Sequence, residues 1–155
     1  MAIFDVTITS LRDVPVVAEK MCSMDQREIW ASGRWAPEAG LFSAVKQSSL
    51  CYTWSVDGEP EAVFGVAPLR NVEGGGSPWL LGSCLKNEYK REILRKSRYW
   101  MHEFRSRFRY LENYVYTENH TSVRWLRDWC GFNVEEPVPF GSDGELFHRF
   151  WWRRS

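Results

Sequence analysis

Residues Asn119–Phe132 read NHTSVRWLRDWCGF, the pattern of a helix that is stopped by a glycine and followed by a strand. Gly131 suits the left-handed backbone conformation in which many helices end. The apolar residue after it, Phe132, is typical of a strand start. The stretch therefore predicts a helix over Asn119–Cys130 and a short strand over Phe132–Glu135.

The same reading predicts the other elements from their hydrophobic periods. Asp57-Gly58 is a strong hairpin signal. Gly74-Gly75-Gly76 lacks the lysine and the following helix of a phosphate loop, so a hairpin tip is the favoured interpretation. The predicted strands are Ile3–Ile8, Leu50–Val56, Ala62–Pro68, Pro78–Gly82, Leu111–Tyr116 and Leu146–Trp152, and the predicted helices are Asp13 to about Met24, Asp25–Ser32, Pro37–Ser48 and Asn87–Phe108.

Length and composition favour one globular α/β domain over residues 1–155, with strands in a central sheet and helices on its faces. The net charge is zero, which argues against a general nucleic-acid surface. The four cysteines, at positions 22, 51, 84 and 130, form no C-x-x-C pair, so we expect free thiols in a reducing cytosol and no metal site. We also expect no membrane span, since no apolar run is long enough.

The element order resembles that of the GNAT fold of acetyl-CoA-dependent N-acetyltransferases, over nearly the whole chain. The residues that carry the resemblance are Asn119, Ser122, Trp125, Leu126 and the pair Gly131-Phe132. The resemblance implies a mixed, mostly antiparallel sheet flanked by helices. It also implies that the fourth and fifth strands separate at one end.

A narrower resemblance joins this chain to the GNAT-like proteins of podovirus-type phages, the internal virion protein A group. It is carried by Gly58–Pro68, by Ser77–Ser83 and by the stretch at Asn119–Phe132. It implies a phage protein that acts in the cytoplasm of the infected bacterium, with association with the virion as an alternative.

The GNAT resemblance places a cofactor site at the end of the fourth strand and the start of the next helix. There the family binds the pyrophosphate of acetyl-CoA on a glycine-rich loop. This chain reads LGSCLKN over residues 81–87 and has one glycine, which puts cofactor binding in doubt. The residues that the resemblance implies at this site are Leu81, Gly82, Ser83, Lys86, Arg91 and Asn119.

The family's proton donor, a tyrosine, has no counterpart here. Counting forward from Asn119 places Leu126 at that position, and counting back from Gly131 places Arg127, because the stretch is one residue longer than the family pattern. Arginine is a poor acid. Tyr114 and Tyr116 are alternatives on the preceding strand.

Other candidate residues have plainer explanations. His120 is a candidate base, although a histidine in the first turn of a helix is usually a surface residue. Glu28 and Trp30 lie where the family borders its acceptor-amine groove, and their residue types suit an amine. We favour the alternative that Trp30 lies in the core and Glu28 in water.

The helix from Lys86 to Arg109 carries nine basic residues and predicts a solvated face or a contact with an acidic partner. At the C-terminus, adjacent residues of a strand face opposite ways, so Trp151 and Trp152 cannot enter one core. One of them should be exposed on an edge strand, where it would contact a second copy or a host protein. The alternative is that Trp152 folds under the 137–144 loop.

The sequence thus predicts a phage-encoded GNAT-like protein that works through contacts with a host or virion protein. A divergent N-acetyltransferase that uses acetyl-CoA is the alternative, so the sequence leaves open whether the chain is an enzyme. A nucleic-acid-binding module is a third interpretation.

Overall fold

The computed structural model describes residues 1–84 and 87–155 as an α/β protein with a mixed, mostly antiparallel sheet flanked by helices. The helices are α1 (Asp13–Glu19), α2 (Ser23–Gly33), α3 (Pro37–Gln47), α4 (Asn87–Arg107) and α5 (His120–Arg124), which a π-helical segment (Trp125–Trp129) continues. The strands are β1 (Phe4–Ile8), β2 (Leu50–Val56), β3 (Glu59–Pro68), β4 (Gly75–Gly82), β5 (Tyr110–Tyr116), β6 (Asn133–Val134), β7 (Val138–Phe140) and β8 (Glu145–Arg153).

The chain divides into two compact units. The first unit holds Met1–Ala67 and Pro78–Cys84, and the second unit holds Pro68–Ser77 and Leu85–Ser155. Strand β4 therefore starts in the second unit and ends in the first. That residues 1–155 form a single domain stays a prediction.

In the first unit the strands follow the order β1-β2-β3-β4. Strands β2 and β3 are joined by the predicted hairpin, whose turn residues Asp57 and Gly58 both have positive φ. The core of this unit is built from apolar residues of α1, of the segment after it, of α3 and of the strands: Val14, Val17, Ala18, Met21, Leu41, Val63 and Leu81.

The predicted first helix is too long at its C-terminal end. It stops at Glu19 because the backbone that follows pairs with the end of β4. Met21 forms an antiparallel bridge with Ser83, and the Cys22 N–H donates to the Gly82 carbonyl at 2.8 Å. Cys22 then precedes α2, which begins at Ser23.

In the second unit the order is β4-β5-β8-β6, and β7 also pairs with β8. Strands β4 and β5 are parallel, and their register covers Gly75 with Tyr110 and Gly76 with Leu111. A register of two positions agrees with the prediction that these strands do not stay paired along their length. The glycine run is thus a turn at Gly74 that leads directly into β4.

The C-terminal strand is not an edge strand, and this prediction was wrong. Strand β8 lies between β5 and β6 and pairs with both. Trp151 and Trp152 are both half-buried, on opposite faces. The Trp151 indole N–H donates to Glu135 at 2.8 Å. The Trp152 ring lies 5.1 Å from the guanidinium of Arg105 on α4.

No helix among the described residues has the length and apolar character that a membrane crossing requires.

Candidate functional site

The predicted cofactor residues fall in both units. Leu81, Gly82 and Ser83 end β4 in the first unit, whereas Arg91 and Asn119 belong to the second. Lys86 lies outside the described residues. The side chain of Leu81 is buried in the core of the first unit and is therefore a packing residue.

Both backbone polar groups of Gly82 have hydrogen-bond partners, and the residue is closely packed. The carboxylate of Asp25 accepts its N–H at 2.9 Å, and its carbonyl accepts the Cys22 N–H. A Cβ at this position would lie 2.7 Å from the Cβ of Ala62 and 2.9 Å from the carbonyl oxygen of Glu61. The glycine is thus required by a close approach of two strands.

The side chain of Asp25 is the acceptor of the Gly82 N–H, so this backbone donor already has a partner within the chain. Burial raises the pKa of Asp25, although hydrogen bonds from Gly82 and from Cys22 act in the opposite direction. Burial and the nearby Asp25 charge raise the pKa of the Cys22 thiol to about 12, so this thiol is neutral. The end of β4 therefore already binds a carboxylate that belongs to the chain.

Ser83 continues this polar cluster on the other side of Gly82. Its hydroxyl donates to Glu61 at 2.6 Å, and its N–H donates to the Glu61 carbonyl at 2.9 Å. Lys20 forms an ion pair with the same carboxylate at 3.3 Å. These contacts hold the backbone at Ser83 in place, and the Ser83 hydroxyl is already hydrogen-bonded to Glu61.

Removing the charge of Asp25 tests this arrangement. The side chain in Asp25→Asn can still accept the Gly82 N–H but cannot ionise. Because the folded pKa lies above the unfolded value of about 3.9, ionisation costs the folded wild-type protein stability. We expect wild type to lose stability relative to Asp25→Asn as the pH rises from about 4 through the folded pKa.

The measurement is the free energy of unfolding in urea at a series of pH values. The exposed Asp5→Asn variant in β1 is the matched control. A stability difference between wild type and Asp25→Asn that does not change with pH would contradict the burial of a charged Asp25.

Asn119 has a structural role in the second unit. It is buried, and its side-chain oxygen accepts the Ser122 N–H at 3.4 Å as the N-cap of α5. Its own N–H donates to the Tyr116 carbonyl at 3.0 Å. Arg91, by contrast, is exposed near the start of α4. Of these two residues, only Arg91 presents a charge to solvent.

The extra residue of the quoted stretch is absorbed by a π-helical turn. The Cys130 N–H donates at 2.9 Å to the carbonyl of Trp125, five residues earlier. The Phe132 N–H then donates to the Leu126 carbonyl at 3.0 Å. Such π turns occur mostly as single-turn bulges inside α-helices. Asn119 caps the helix before this turn, and Gly131 follows the turn with a positive φ.

Neither of the two residues that the family resemblance implies for the proton-donor position has an acidic side chain. Leu126 is apolar and buried. Arg127 is exposed and donates to Asp128 at 2.9 Å, which raises its pKa further. On β5, the hydroxyl of Tyr116 donates to Glu145 at 2.5 Å, and the ring of Tyr114 stacks on Phe140 with centroids 4.0 Å apart.

The other candidate residues from the sequence, His120, Glu28 and Trp30, lie at or near the surface. His120 is exposed and lies 3.9 Å from Glu118. Trp30 is 52% exposed whereas Glu28 is partly buried, so the favoured sequence interpretation of this pair was wrong. Among residues 1–84 and 87–155, no three His, Cys, Asp or Glu side chains are grouped to hold a metal ion.

Sequence reasoning missed Asp25 as a site residue. Its partner Gly82 is 57 positions away, so no local pattern connects them. The one local signal was that Asp25 lies in the first turn of a helix that is preceded by Cys22.

Comparison with known proteins finds similarity in structure alone. No protein-family model and no curated protein matches the sequence. A GNAT-family acetyltransferase from Streptococcus pneumoniae has a TM-score of 0.64 and 14% identity, and the match covers 99% of this chain and 100% of that protein. The ribosomal-protein-S18-alanine N-acetyltransferase of Escherichia coli has a TM-score of 0.63 and 16% identity, and the match covers 99% and 95%.

A third structure, YncA from Salmonella typhimurium with its cofactor acetyl-CoA, has a TM-score of 0.67 and 12% identity. The match covers 98% of this chain and 94% of that protein. At such low identities the similarity concerns the arrangement of the chain and not its site residues. The chain therefore has the fold of the GNAT acetyltransferases.

Proposed function

We propose that this is a phage-encoded GNAT-fold protein that acts in the cytoplasm of the infected bacterium by contacting a host or virion protein. The observation that carries the proposal is a set of exposed aromatic side chains on α2, α3 and the loop between them. Trp30, Trp35 and Phe42 are 52%, 43% and 45% exposed. Large aromatic side chains in water mark contact surfaces, and Trp is enriched among the residues that dominate binding energy.

The positions that serve acetyl transfer in the family support the same proposal. The Gly82 N–H is already bound by Asp25, and the proton-donor position holds either a buried Leu126 or an ion-paired Arg127. A positioned acid typically contributes about 10²–10⁴-fold to rate, so its loss alone leaves some turnover. An occupied backbone donor weakens binding of the cofactor itself.

Titration of the chain with acetyl-CoA tests this part of the proposal. We expect binding to be weak or absent in calorimetry, because residues 81–87 lack a glycine-rich loop and the Asp25 carboxyl group already accepts the Gly82 N–H. A dissociation constant in the low micromolar range would contradict it. In that case Lys86→Ala and Arg91→Ala should both weaken binding, since each removes a positive charge that the resemblance places near the phosphates.

Capture from a lysate of the host bacterium, with and without acetyl-CoA, tests the contact itself. We expect the double variant Trp30→Ala, Trp35→Ala to lose the captured protein and acetyl-CoA to have no effect. Tyr99→Ala is the matched control, because Tyr99 is an exposed aromatic residue on α4 in the second unit. Equal capture by both variants would contradict a contact through α2 and α3.

A homodimer through the C-terminal strand is a further proposal about partners. The exposed tryptophan on an edge strand no longer supports it, since β8 is internal and both tryptophans have partners in the second unit. Light scattering at several concentrations with Trp151→Ala and Trp152→Ala decides it.

The second candidate function is a divergent N-acetyltransferase that uses acetyl-CoA. The similarity to acetyltransferase structures, one of them solved with acetyl-CoA, favours it. Release of the CoA thiol from acetyl-CoA in the presence of amine acceptors would support this candidate over the first. Binding to nucleic acid that weakens steeply as salt is raised would instead support the third interpretation.

A further inference from the structure

A cavity of about 310 Å³ opens in the second unit beside the C-terminal half of α4. A volume near 300 Å³ is at the lower end of the range for small-molecule sites. It is lined by residues of α4 and by the end of the π-helical segment: Ser97, Arg98, Met101, His102, Arg105, Trp129 and Cys130. We call this the α4 cavity.

The α4 cavity lies away from the residues that the family resemblance assigns to acetyl-CoA. Arg91 is near the start of α4, and the lining residues on this helix follow it by six to fourteen positions. With a rise of 1.5 Å per residue, they lie about 9–21 Å from Arg91 along the helix axis. The cavity shares no residue with the set that the resemblance assigns to acetyl-CoA.

The lining carries positive charge without a carboxylate. Two of the seven residues are arginines and one is a histidine, and none is acidic. The guanidinium of Arg98 lies 4.1 Å above the ring of Trp129 and is exposed to solvent. A carboxylate or phosphate group could therefore accept hydrogen bonds from the exposed guanidinium of Arg98 while it stays over the Trp129 ring.

Arg105 has hydrogen-bonding capacity that the described chain does not use. One of its terminal nitrogens donates to the Cys130 carbonyl at 2.5 Å. Its guanidinium lies 5.2 Å from the ring of Phe132 and 5.1 Å from that of Trp152. Its Nε–H is buried and has no acceptor among the described residues. Burial of this uncompensated charge lowers the pKa of Arg105.

The aromatic wall of the cavity is held in place. The Trp129 indole N–H is shared between the Leu94 carbonyl at 3.0 Å and the Ser97 hydroxyl at 3.2 Å. The π-helical turn sets this orientation, because Trp129 is its last residue. Such turns are frequent at functional sites. Cys130 contributes a neutral thiol, since burial raises its pKa to about 12.

We propose that the α4 cavity binds a small organic anion. Its phosphate or carboxylate group pairs with Arg98 and Arg105, and its apolar or aromatic part lies against Met101 and Trp129. The positive lining and the fixed indole each match one part of such a ligand. This site does not depend on the proposed protein contact, which uses α2 and α3 of the first unit.

Calorimetric titration of the full chain with phenyl phosphate and with benzoate, at constant ionic strength, tests the site and separates the two anionic groups. We expect at least one of these probes to bind with a dissociation constant below the millimolar range. Arg98→Gln should weaken that binding at least tenfold, because a charge-assisted hydrogen bond is lost. Arg107→Gln is the matched control, since Arg107 is exposed on the same helix but does not line the cavity.

Because Arg105→Gln could unfold the protein, the second readout is the indole N–H resonance of Trp129, assigned with Trp129→Phe. We expect the bound probe to shift this resonance in wild type and the shift to require a higher concentration in Arg98→Gln. Absence of binding by both probes at millimolar concentration would overturn the proposal. Equal weakening by Arg98→Gln and Arg107→Gln would also overturn it, because binding would then follow the general charge of α4.

Discussion

Replacement of Phe104 by alanine is expected to lower the free energy of unfolding by about 3–5 kcal/mol. Phe104 is 2% exposed and lies on the buried face of α4, among the largest fully buried side chains of the chain. The loss combines the transfer of an aromatic ring to water with the cavity left behind. Urea denaturation followed by circular dichroism measures it.

Tyr99→Ala is the control for this prediction. Tyr99 lies on the same helix and is 58% exposed, so we expect its replacement to change stability by no more than about 0.5 kcal/mol. Similar losses for the two variants would mean that α4 does not bury the face containing Phe104, because helix propensity favours alanine at both positions.

Replacement of Gly82 by alanine is expected to destabilise the protein by about 1–3 kcal/mol, as overpacking does in a close-packed interior. The added Cβ would meet the Cβ of Ala62 at 2.7 Å and the Glu61 carbonyl at 2.9 Å. The strand must then move, which lengthens the hydrogen bond from Gly82 to Asp25. Denaturation in urea checks the loss, and the amide resonance of residue 82 reports the hydrogen bond.

Leu80→Ala is the matched control on β4, since Leu80 is an exposed residue of the same strand. A double variant sharpens the test. Ala62→Gly removes the nearest obstructing atom, so Gly82→Ala should cost less in its presence. Purely additive losses would show that the close contact with Ala62 does not limit residue 82.

These two substitutions also report on the stability of the two units separately. Phe104 belongs to the second unit, whereas Gly82 and its partners belong to the first. If the chain unfolds as one cooperative domain, as the sequence predicts, each variant lowers the stability recorded by every probe. Separate transitions would instead show that the units unfold independently.

Local sequence patterns predicted most of the elements because their causes are local. The period of α4, the Asp57-Gly58 turn and the glycine after the last helix depend on residues that are neighbours in the chain. The missing tyrosine could also be recognised from sequence, since it concerns residue identity at a counted position. Strand β7 was not predicted because its three residues are too few to show an alternation of apolar and polar side chains.

Pairing between distant residues was decided only in the folded chain. The first helix ends at Glu19 because Cys22 pairs with Gly82, and nothing in the local pattern between residues 13 and 24 marks that break. The position of β8 inside the sheet likewise depends on its pairing with β5 and β6. Both outcomes follow from hydrogen bonds between segments far apart in sequence.

The sequence by itself predicted the element order of the GNAT fold. The family resemblance implied that a tyrosine is missing at the proton-donor position and that one extra residue precedes Gly131. Only the tertiary structure decided that Asp25 accepts the Gly82 N–H and that the helix ends in a π-helical turn over Trp125–Trp129. It also decided that Arg105 and Trp129 line one cavity. The physical reason is that residue identity and local period are properties of the chain. A partly buried carboxyl group, an unused donor and a cavity exist only where separate segments pack together.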